Sequence, residues 1–503
     1  MDRPPTAETD VADELAAVRP ALLPRYAAEL PGARAAVLTR LWRALVHEPL
    51  PWLTGRTPGP YGLTLRLADG RTLRGPHADP YATAAYVTAV RLDRERYVDP
   101  ARLTAALGVP QAASFAAELA HSVASLALSR AAANHPKEWP ARDWEWEQRV
   151  VDGHPFHPNC RARPGFSVAD QLAYGPEHGP VVELGTVPVP VDRCLVSGDW
   201  PAELRDRDRL LVPVHPWQAA HVLRRPCDPW RPARPLMSLR TLALPGGPHV
   251  KTALSARLTS SVRDISVYSV EAAAALSSLG AELAARTDGL LHVTRTLGAA
   301  SDGSSALAAL LRESPEEYTG PGERVLPVAA LAGTSLPDDP AWLAAFTRLA
   351  LTVGLALLGL GVALEAHGQN LLVILGADGG PRRLVYRDLA DIRISPARLA
   401  RHGVPVPDLS GRLITDDVTA LRRKLFGSLV AGALAGTAGS GPALAAALRS
   451  ALPGLPDTPD LAALRDDPLP AKALTLMRLS PGRTGDSWTT LPPPCATTFP
   501  DLS

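Results

Sequence analysis

The chain has 503 residues, of which 46% are hydrophobic and 20% charged, and its formal net charge at pH 7 is +1. This length and composition are typical of a globular protein with two or three domains and a large buried core. The near-neutral charge argues against a general nucleic-acid-binding or membrane-surface protein. The cysteines form no CxxC pair, which argues against a disulfide framework or a zinc site; they are Cys160, Cys194, Cys227 and Cys495.

The N-terminal stretch MDRPPTAETDVADELAAV is acidic and lacks the apolar segment of a signal peptide. Ala- and Leu-rich helical patterns follow in residues 10–48 and 100–135. Between them, residues 62–76 (GLTLRLADGRTLRGP) alternate apolar and polar side chains around an Asp-Gly pair. This pattern predicts a β-hairpin with a tight turn.

The middle of the chain has a different character. Short β-rich runs, such as VVELGTVPVPV (181–191) and RLLVPVHP (209–216), alternate with Pro-rich turns. Residues 271–312 are expected to be helical again, and the Gly- and Pro-rich residues 314–327 have the composition of a linker.

From residue 340 a long helix is expected, and helical patterns dominate after residue 415. The most apolar run, LALTVGLALLGLGVAL (349–364), is short for a membrane span and leads directly into Glu365 and His367. We therefore expect a buried core helix, no membrane association and a cytoplasmic location.

The stretch LEAHGQNLLVILGADGGPRRLVYRDL (364–389) carries polar groups at both ends of a predicted hairpin. Because a hairpin returns the chain to its starting point, Asp388 is expected close to Glu365, His367 and Asn370. Carboxylate and amide oxygens suit Mg²⁺, and protein kinases hold their metal ions with an Asn and a later Asp in a similar arrangement.

A purely structural alternative is that His367 and Asn370 cap the long helix while Asp388 pairs with a nearby arginine. The chain also lacks the kinase GxGxxG loop, the VAIK-like strand and the HRD motif. A nucleotide would therefore have to be held by other segments.

The first such segment is GHPFHPNCRARPGFS (153–167), with His154, His157, Arg161 and Arg163. Each histidine precedes a proline, which favours a fixed, non-helical loop. Two imidazoles and two guanidiniums suit a polycarboxylate or a phosphate. Zinc would need a third ligand, and a structural loop with hydrogen-bonded histidines is the remaining alternative.

A second segment, VPVHPWQ (212–218), ends another β-run with a His-Pro pair, and His215 is either a ligand or a hydrogen-bonding residue. A third spans residues 235–266. Hydroxyls, Lys and Arg supply hydrogen bonds and positive charge for a triphosphate where no Walker loop exists. The side chains of this third segment are Ser238, Arg240, Lys251, Thr259, Ser260 and Arg263. TSSVRD is also compatible with a plain helix N-cap.

Taken in order, these segments resemble the motifs of the NRPS-independent siderophore synthetases, the IucA/IucC family. The matching stretches are HPFHPNCRARPGF, VPVHPWQ, SLRT, KTALSARLTSSVR, HGQN followed by RD, and KALTLMRL (472–479). They cover about residues 150–490. The departures are Arg161 in place of the family Lys and LPPPCA (491–496) in place of an NPL-like end; the former is expected to alter the shape of the pocket.

The resemblance implies an α+β, hand-like architecture of three regions. Residues 1–149 would form a helical thumb-like region and residues 150–330 a β-rich fingers region with the ATP and carboxylate motifs. Residues 331–503 would form a palm with distant kinase-like character, a Mg-ATP site and a C-terminal helical bundle.

The resemblance also implies an ATP-dependent ligase. Such an enzyme adenylates a carboxylic acid, citrate or citrate-like, and condenses it with an amine or alcohol, releasing pyrophosphate and AMP. Its partners would be these small molecules and, as in related families, a second copy of the chain. The alternatives are a kinase-like small-molecule phosphotransferase that yields ADP, and a non-catalytic metabolite-binding relative.

Residue roles follow from the matched motifs. The ATP-binding residues would be Ser238, Arg240, Lys251, Thr259, Ser260, Arg263, His367 and Asn370. The Mg²⁺ ligands would be Glu365, Asn370 and Asp388. The carboxylate pocket would contain His154, His157, Arg163, Arg263 and His367. Lys251, Arg263 and His367 are the expected catalytic residues, because adenylation builds up negative charge that cations and hydrogen-bond donors stabilise.

Overall fold

A computed structural model describes residues 6–133, 136, 138–258, 261–409, 411–480 and 485–495. Two of the predicted nucleotide-binding residues, Thr259 and Ser260, lie outside the described residues.

The N-terminal part packs helices against a small antiparallel sheet. Its helices are Ala7–Val18, Leu23–His47, Pro100–Leu107 and Ala112–Ala132. Its five strands pair in chain order and are Leu53–Gly59, Gly62–Leu67, Thr72–Gly75, Val90–Leu92 and Glu95–Tyr97. These elements confirm the helices and the hairpin predicted for this part. The hairpin turn uses Gly70, whose φ of 91° suits a residue without a Cβ.

A nine-stranded sheet forms the middle of the chain. In spatial order its strands are Leu195–Gly198, Thr296–Ser301, Ala308–Arg312, His249–Thr252, Thr241–Ala243, Asp228–Pro235, Val182–Pro190, Arg209–Val214 and Arg205–Asp206. The predicted β-runs at 181–191 and 209–216 are confirmed. In the former, buried Val187 and Val189 alternate with exposed Pro188 and Pro190, which is the two-residue period of a strand.

The prediction of a helix over 271–312 is wrong beyond its first half. A helix occupies Ala273–Ala285, but the rest contains the strands Leu291–Val293, Thr296–Ser301 and Ala308–Arg312. All five residues of Ala308–Arg312 are buried between two neighbouring strands. A strand buried on both faces shows no alternation, so its Ala/Leu-rich sequence cannot be told from a helix by its pattern.

A four-stranded sheet contains the 371–386 hairpin. Its spatial order is Leu291–Val293, Pro381–Tyr386, Leu371–Leu375 and Arg324–Pro327. The hairpin prediction is confirmed, with Leu371 opposite Tyr386. Residues 314–327 are not a linker, because their last four residues form a strand of this sheet. The division of the chain at residue 330 stays a prediction.

Most of the apolar run lies in the helix Pro340–Leu360, which has ten buried residues, seven of them in the largest core, as predicted. By length and composition this helix could also cross a membrane, and half of its apolar window is buried inside the protein. The helices that follow are Pro396–Arg401, Val418–Ser428, Ala435–Ala438, Gly441–Ala451, Pro459–Asp466 and Leu474–Leu479, with a π-helix at Leu429–Leu434.

The remaining elements are short. The helices are Asp143–Gln148, Val168–Tyr174, Pro216–Gln218, Val267–Glu271 and Val328–Leu331, with a π-helix at Ala219–Leu223. Three two-stranded pairs complete the fold: Leu254–Leu258 with Ser261–Arg263, Val362–Ala363 with Arg393–Ile394, and Leu469–Lys472 with Trp488–Leu491.

A buried carboxylate joins the N-terminal helices to the C-terminal helix Leu474–Leu479. Glu48 follows the end of the helix Leu23–His47 and is 2% exposed. Its oxygens accept the backbone N–H groups of Thr475 at 3.1 Å and Leu476 at 2.7 Å. Burial raises the pKa of Glu48 to about 7, because backbone donors only partly replace the lost water.

This raised pKa predicts a pH-dependent stability. The pKa rises from 4.5 to about 7 on folding, so the folded state binds the proton more tightly. Stability from this group is present below pH 4.5 and is lost as the pH rises through 7, a difference of about 3 kcal/mol. We expect the unfolding free energy of wild type to fall between pH 5 and pH 8 relative to that of Glu48→Gln, measured by urea denaturation.

A control is Glu203→Gln, whose carboxylate is half exposed beside Arg231. It should leave the pH dependence of wild type unchanged. Parallel stability curves for wild type and Glu48→Gln would show that Glu48 is not the titrating group.

Candidate active site

The centre of the site is an ion pair between two sheets, in which Lys251 is buried and the Asp388 side chain is 26% exposed. Lys251, on the strand His249–Thr252, places its Nζ 2.6 Å from Oδ2 of Asp388, which follows the 371–386 hairpin. Arg312, at the end of the adjacent strand, places Nη2 3.6 Å from the other carboxylate oxygen. Asp388 has a φ of 72°, a left-handed conformation that Asp tolerates better than most residues.

Two further arginines complete a cation cluster around Asp388. The Arg240 Nη1 atom donates to the backbone oxygens of Arg263 at 2.7 Å and Asp264 at 2.8 Å. Arg263 has a buried Nε–H group without a hydrogen-bond partner among the described residues. Burial lowers the pKa of Arg240 to about 10, with Arg263 and Arg312 adding to the effect and Asp388 opposing it.

The basic side chains of this cluster outnumber its single carboxylate, Asp388. Burial would raise the pKa of Asp388, but Lys251 and Arg312 outweigh it and hold the pKa well below its usual range. Burial lowers the pKa of Lys251 to about 7, although Asp388 opposes the shift. One ionised carboxylate therefore faces four basic side chains, an excess of positive charge that suits a polyanion such as a triphosphate.

The histidine loop lies beside these cations. His154 Nδ1 accepts the Phe156 N–H at 3.1 Å, and His157 Nδ1 accepts the Asn159 N–H at 3.0 Å. These bonds leave the proton of each neutral ring on Nε2. The Nε2 atom of His157 is buried without a partner among the described residues. It is therefore a donor available to a bound ligand.

The pKa values of these histidines are shifted by burial and by nearby charged side chains. Burial lowers the pKa of His157 to about 3, with the nearby cations Arg478 and Arg263 contributing to this shift. Partial desolvation also lowers the pKa of His154, whose surface is in part exposed to solvent, with contributions from His157 and His367. The sequence-predicted His154, His157, His367 and Arg263 are thus brought together, and the three histidines are neutral at pH 7.

The proposed metal ligands differ in their surroundings. Asn370 and Asp388 lie at the same end of the hairpin, where the Arg387 N–H donates to the Asn370 oxygen at 3.0 Å. Glu365 instead accepts from Lys424 at 3.2 Å and Lys472 at 3.1 Å through the same oxygen, Oε1. In the part of the chain that the structure describes, no group of three His, Cys, Asp or Glu side chains is arranged to hold a metal ion. A Mg²⁺ site at Asp388 and Asn370 therefore stays a prediction, while Glu365 neutralises two lysines.

Arg163 and Arg161 pair with a carboxylate from outside the predicted site. Arg163 Nη1 lies 2.8 Å from buried Glu177, and Arg161 Nη1 lies 3.6 Å from it. Arg161 also donates to the backbone oxygen of Val151 at 2.6 Å. Through these contacts both arginines stabilise the histidine loop. A direct role of Arg163 in the carboxylate pocket stays a prediction. Ser238, also predicted to contact ATP, accepts the Thr241 N–H at 3.1 Å in a turn beside Arg240.

Sequence reasoning missed two basic residues of the site. Arg312 was hidden in a stretch expected to be helical; its only signal is a charge at the end of the apolar run ALAALL. Arg478 lies in the KALTLMRL stretch, near His157. It forms an ion pair with Glu118, whose carboxylate also accepts a hydrogen bond from the Asn159 side-chain amide. No local pattern marks this contact between distant segments.

Residues 143–333 match the model described as the IucA / IucC family. The match covers less than half of the chain, so this segment is similar to that family. Residues 340–440 match a second model, described as ferric iron reductase FhuF-like transporter. That stretch contains Asn370 and Asp388.

Among curated proteins, the chain is 26% identical over 309 residues to the citryl-spermidine/3,4-dihydroxybenzoyl-citryl-spermidine:spermidine ligase of Bacillus anthracis. The match covers 48% of this chain and 50% of that protein. The chain spans about half the length of the curated relatives it matches.

Solved structures show a similar fold over nearly the whole chain. The petrobactin biosynthesis protein AsbB from Bacillus anthracis aligns with a TM-score of 0.77 and 18% identity, covering 98% of both chains. ATP-bound aerobactin synthetase IucA from Klebsiella pneumoniae aligns with a TM-score of 0.74 and 20% identity, covering 92% of this chain and 99% of that one. The fold is therefore the mixed α/β fold of these family members.

The buried pair of Arg163 and Glu177 generates a stability prediction. Arg163→Met leaves Glu177 buried with a weaker cationic environment, so we expect a loss of about 3 kcal/mol or more in unfolding free energy. Adding Glu177→Gln should recover much of that loss, measured by urea denaturation. The exposed pair Arg465–Asp466 is the control, and Arg465→Met should cost less than about 1 kcal/mol. An Arg163→Met protein of unchanged stability would contradict the supporting role.

Proposed function

We propose that the protein is an ATP-dependent siderophore synthetase. It adenylates citrate or a citrate-like carboxylic acid and condenses the product with an amine or alcohol, releasing pyrophosphate and AMP. One observation carries the proposal: a buried excess of positive charge around Asp388 adjoins a pocket of neutral histidines with a free N–H donor. The first feature suits a triphosphate, and the second suits a carboxylic acid.

In the first step a carboxylate oxygen attacks the α-phosphorus of ATP. The bond to the β-phosphate oxygen breaks, pyrophosphate leaves, and an acyl-adenylate remains. Negative charge accumulates on the phosphorus centre and the leaving group. Lys251, Arg240 and Arg263 are positioned to stabilise this charge, since their N–H groups are already buried and oriented. Bound Mg²⁺ would supply further charge neutralisation, held by Asp388 and Asn370.

In the second step the amine or alcohol attacks the acyl carbon and AMP leaves. The nucleophile loses a proton, but His157, with a pKa of about 3, is a weak base. We infer that the site accelerates this step mainly by holding the two reactants together, with the proton passing to solvent. His157 and His154 act as hydrogen-bond donors that orient the acid.

The relatives support this proposal through their printed names. One is a ligase of citryl-spermidine with spermidine, and one solved structure is an ATP-bound aerobactin synthetase. Both names describe siderophore assembly. The identity of the acid and of the nucleophile in this protein, the hand-like division into three regions, the homodimer and the cytoplasmic location stay predictions.

The first test is a product assay. Purified protein is incubated with Mg-ATP, a panel of carboxylic acids and hydroxylamine, and pyrophosphate, AMP and ADP are measured. We expect citrate or a citrate-like acid to produce pyrophosphate and AMP in equal amounts, with a hydroxamate as the trapped product. Production of ADP without pyrophosphate would favour the phosphotransferase alternative. ATP binding without turnover of any acid would favour the non-catalytic alternative.

Matched variants assign the activity to this site. Arg263→Met removes a cation with an unpaired N–H, so it should abolish acid-dependent pyrophosphate release. Arg401→Met alters an exposed arginine on the helix Pro396–Arg401 and should leave the rate unchanged. Equal rates in both variants would place the chemistry elsewhere.

The low pKa of Lys251 predicts a pH dependence of ATP binding. Burial lowers this pKa to about 7, so in the free protein Lys251 loses its proton as the pH rises from 7 to 9. Loss of the positive charge weakens phosphate binding, and the Kd for ATP should rise by up to about tenfold per pH unit. Titration calorimetry at several pH values measures the change.

Lys251→Arg is the control, because arginine remains protonated over this range. The variant should bind ATP with a nearly constant Kd from pH 7 to pH 9. If wild type and variant show the same pH dependence, the titrating group is not Lys251.

A further inference from the structure

Gln218 is fully buried, and its side-chain amide forms hydrogen bonds with Ser255 and with the turn at Ala306. It ends the VPVHPWQ stretch, which the proposed function leaves without a role. Its Nε2 donates to the Ser255 hydroxyl at 2.9 Å and to the Ala306 backbone oxygen at 2.8 Å. Its Oε1 accepts the Ser255 backbone N–H at 2.8 Å. The side chain therefore substitutes for a neighbouring strand at Ser255.

The contact falls where the strand pairing is interrupted. The strands Leu254–Leu258 and Ser261–Arg263 form a hairpin that carries Arg263. Leu254 pairs with Arg263, but the register shifts between Leu254 and Arg257. Such a bulge leaves a backbone N–H outside the ladder, and a buried unpaired N–H is costly. Gln218 satisfies the N–H of Ser255 at this irregularity.

The hydrogen bonds continue from Ser255 to the cation cluster. The Ser255 hydroxyl donates to Asp264 Oδ1 at 2.5 Å. Asp264 and Arg263 present their backbone oxygens to the Arg240 guanidinium. The Arg240 backbone oxygen in turn accepts the Thr252 N–H at 2.8 Å, next to Lys251. These hydrogen bonds thus connect Gln218 with the Arg240 side chain and the Arg263 backbone, and they end at Thr252, the neighbour of Lys251.

From these hydrogen bonds we infer that Gln218 is a positioning residue for nucleotide binding. It touches none of the reacting groups assigned above; it fixes the base of the 254–263 hairpin, and the hairpin fixes Arg263 and Arg240. The inference rests on the proposed function, because it takes these arginines to bind ATP. Without Gln218 the bulge is unsupported, so the arginines lose their fixed positions while the histidine loop, held by separate contacts, is unchanged.

The test combines a local and a functional measurement. Gln218→Met keeps the size of the side chain and removes its three hydrogen bonds. Hydrogen exchange in peptides spanning residues 254–264 should become faster than in wild type, with little change elsewhere. The Kd of a non-hydrolysable ATP analogue should rise about tenfold or more, as expected for the loss of buried hydrogen bonds. The KM for the carboxylic acid should change less than twofold.

Gln171→Met is the matched control, since Gln171 is also buried but lies on the helix Val168–Tyr174, outside this chain of bonds. It should alter neither exchange in 254–264 nor the Kd of the analogue. Ser255→Ala interrupts the same series of hydrogen bonds with a smaller change in side-chain size. This variant replaces Gln218→Met in the test if Gln218→Met does not fold. Ser255→Ala and Gln218→Met together should cost less binding than the sum of their separate effects.

The outcomes separate the inference from the proposed function. Unchanged exchange and unchanged Kd in Gln218→Met would overturn the inference. Equal losses in analogue binding and acid KM, with a general drop in stability, would also overturn it and leave Gln218 as an ordinary core residue. A wild-type protein that does not bind the analogue would instead refute the proposed function. In that case the exchange data alone would decide whether Gln218 anchors the hairpin.

Discussion

The ion pair between Lys251 and Asp388 is the constraint on which the site depends. It joins a strand of the nine-stranded sheet to the end of the 371–386 hairpin, across 137 positions of sequence. Removing both groups from water is costly, and their attraction offsets that cost only when the geometry is good. The 2.6 Å contact meets this condition. Arg240, Arg263 and Arg312 then add positive charge that one carboxylate does not balance.

The cation cluster and the histidine loop are stabilised in different ways. The cations are held by backbone oxygens and by Asp388, so their charges remain available to an anion. The histidines are held by Pro-restricted turns and by N–H donors to Nδ1, so each ring is fixed as one neutral tautomer. Arg161 and Arg163, which follow the histidines in the same loop, form ion pairs with buried Glu177. These supports produce one region rich in positive charge and one region of neutral histidine side chains.

Residues from both ends of the chain complete the site. Arg40, on the helix Leu23–His47, donates to the Pro155 oxygen at 3.0 Å between the two histidines. Arg478 approaches His157 from the C-terminal helix, which Glu48 and Glu118 hold in place. Segments from both ends of the chain therefore contact the histidine loop.

The sequence by itself determined the local features of this protein. The hairpin at 371–386, the N-terminal helices and the His-Pro turns depend on periodicity, turn residues and proline, which act within a few residues. The ordered motifs also pointed to the IucA/IucC family. Tertiary structure decided the pairings between distant residues. It turned the Ala-rich 306–312 segment into a buried strand that delivers Arg312 to Asp388. It also pairs Glu365 with Lys424 and Lys472, which are 59 and 107 positions away in sequence. In the same way it brings the Gln218 side chain into hydrogen-bonding contact with Ser255. No local pattern specifies such partners, because burial and charge compensation are properties of the packed molecule.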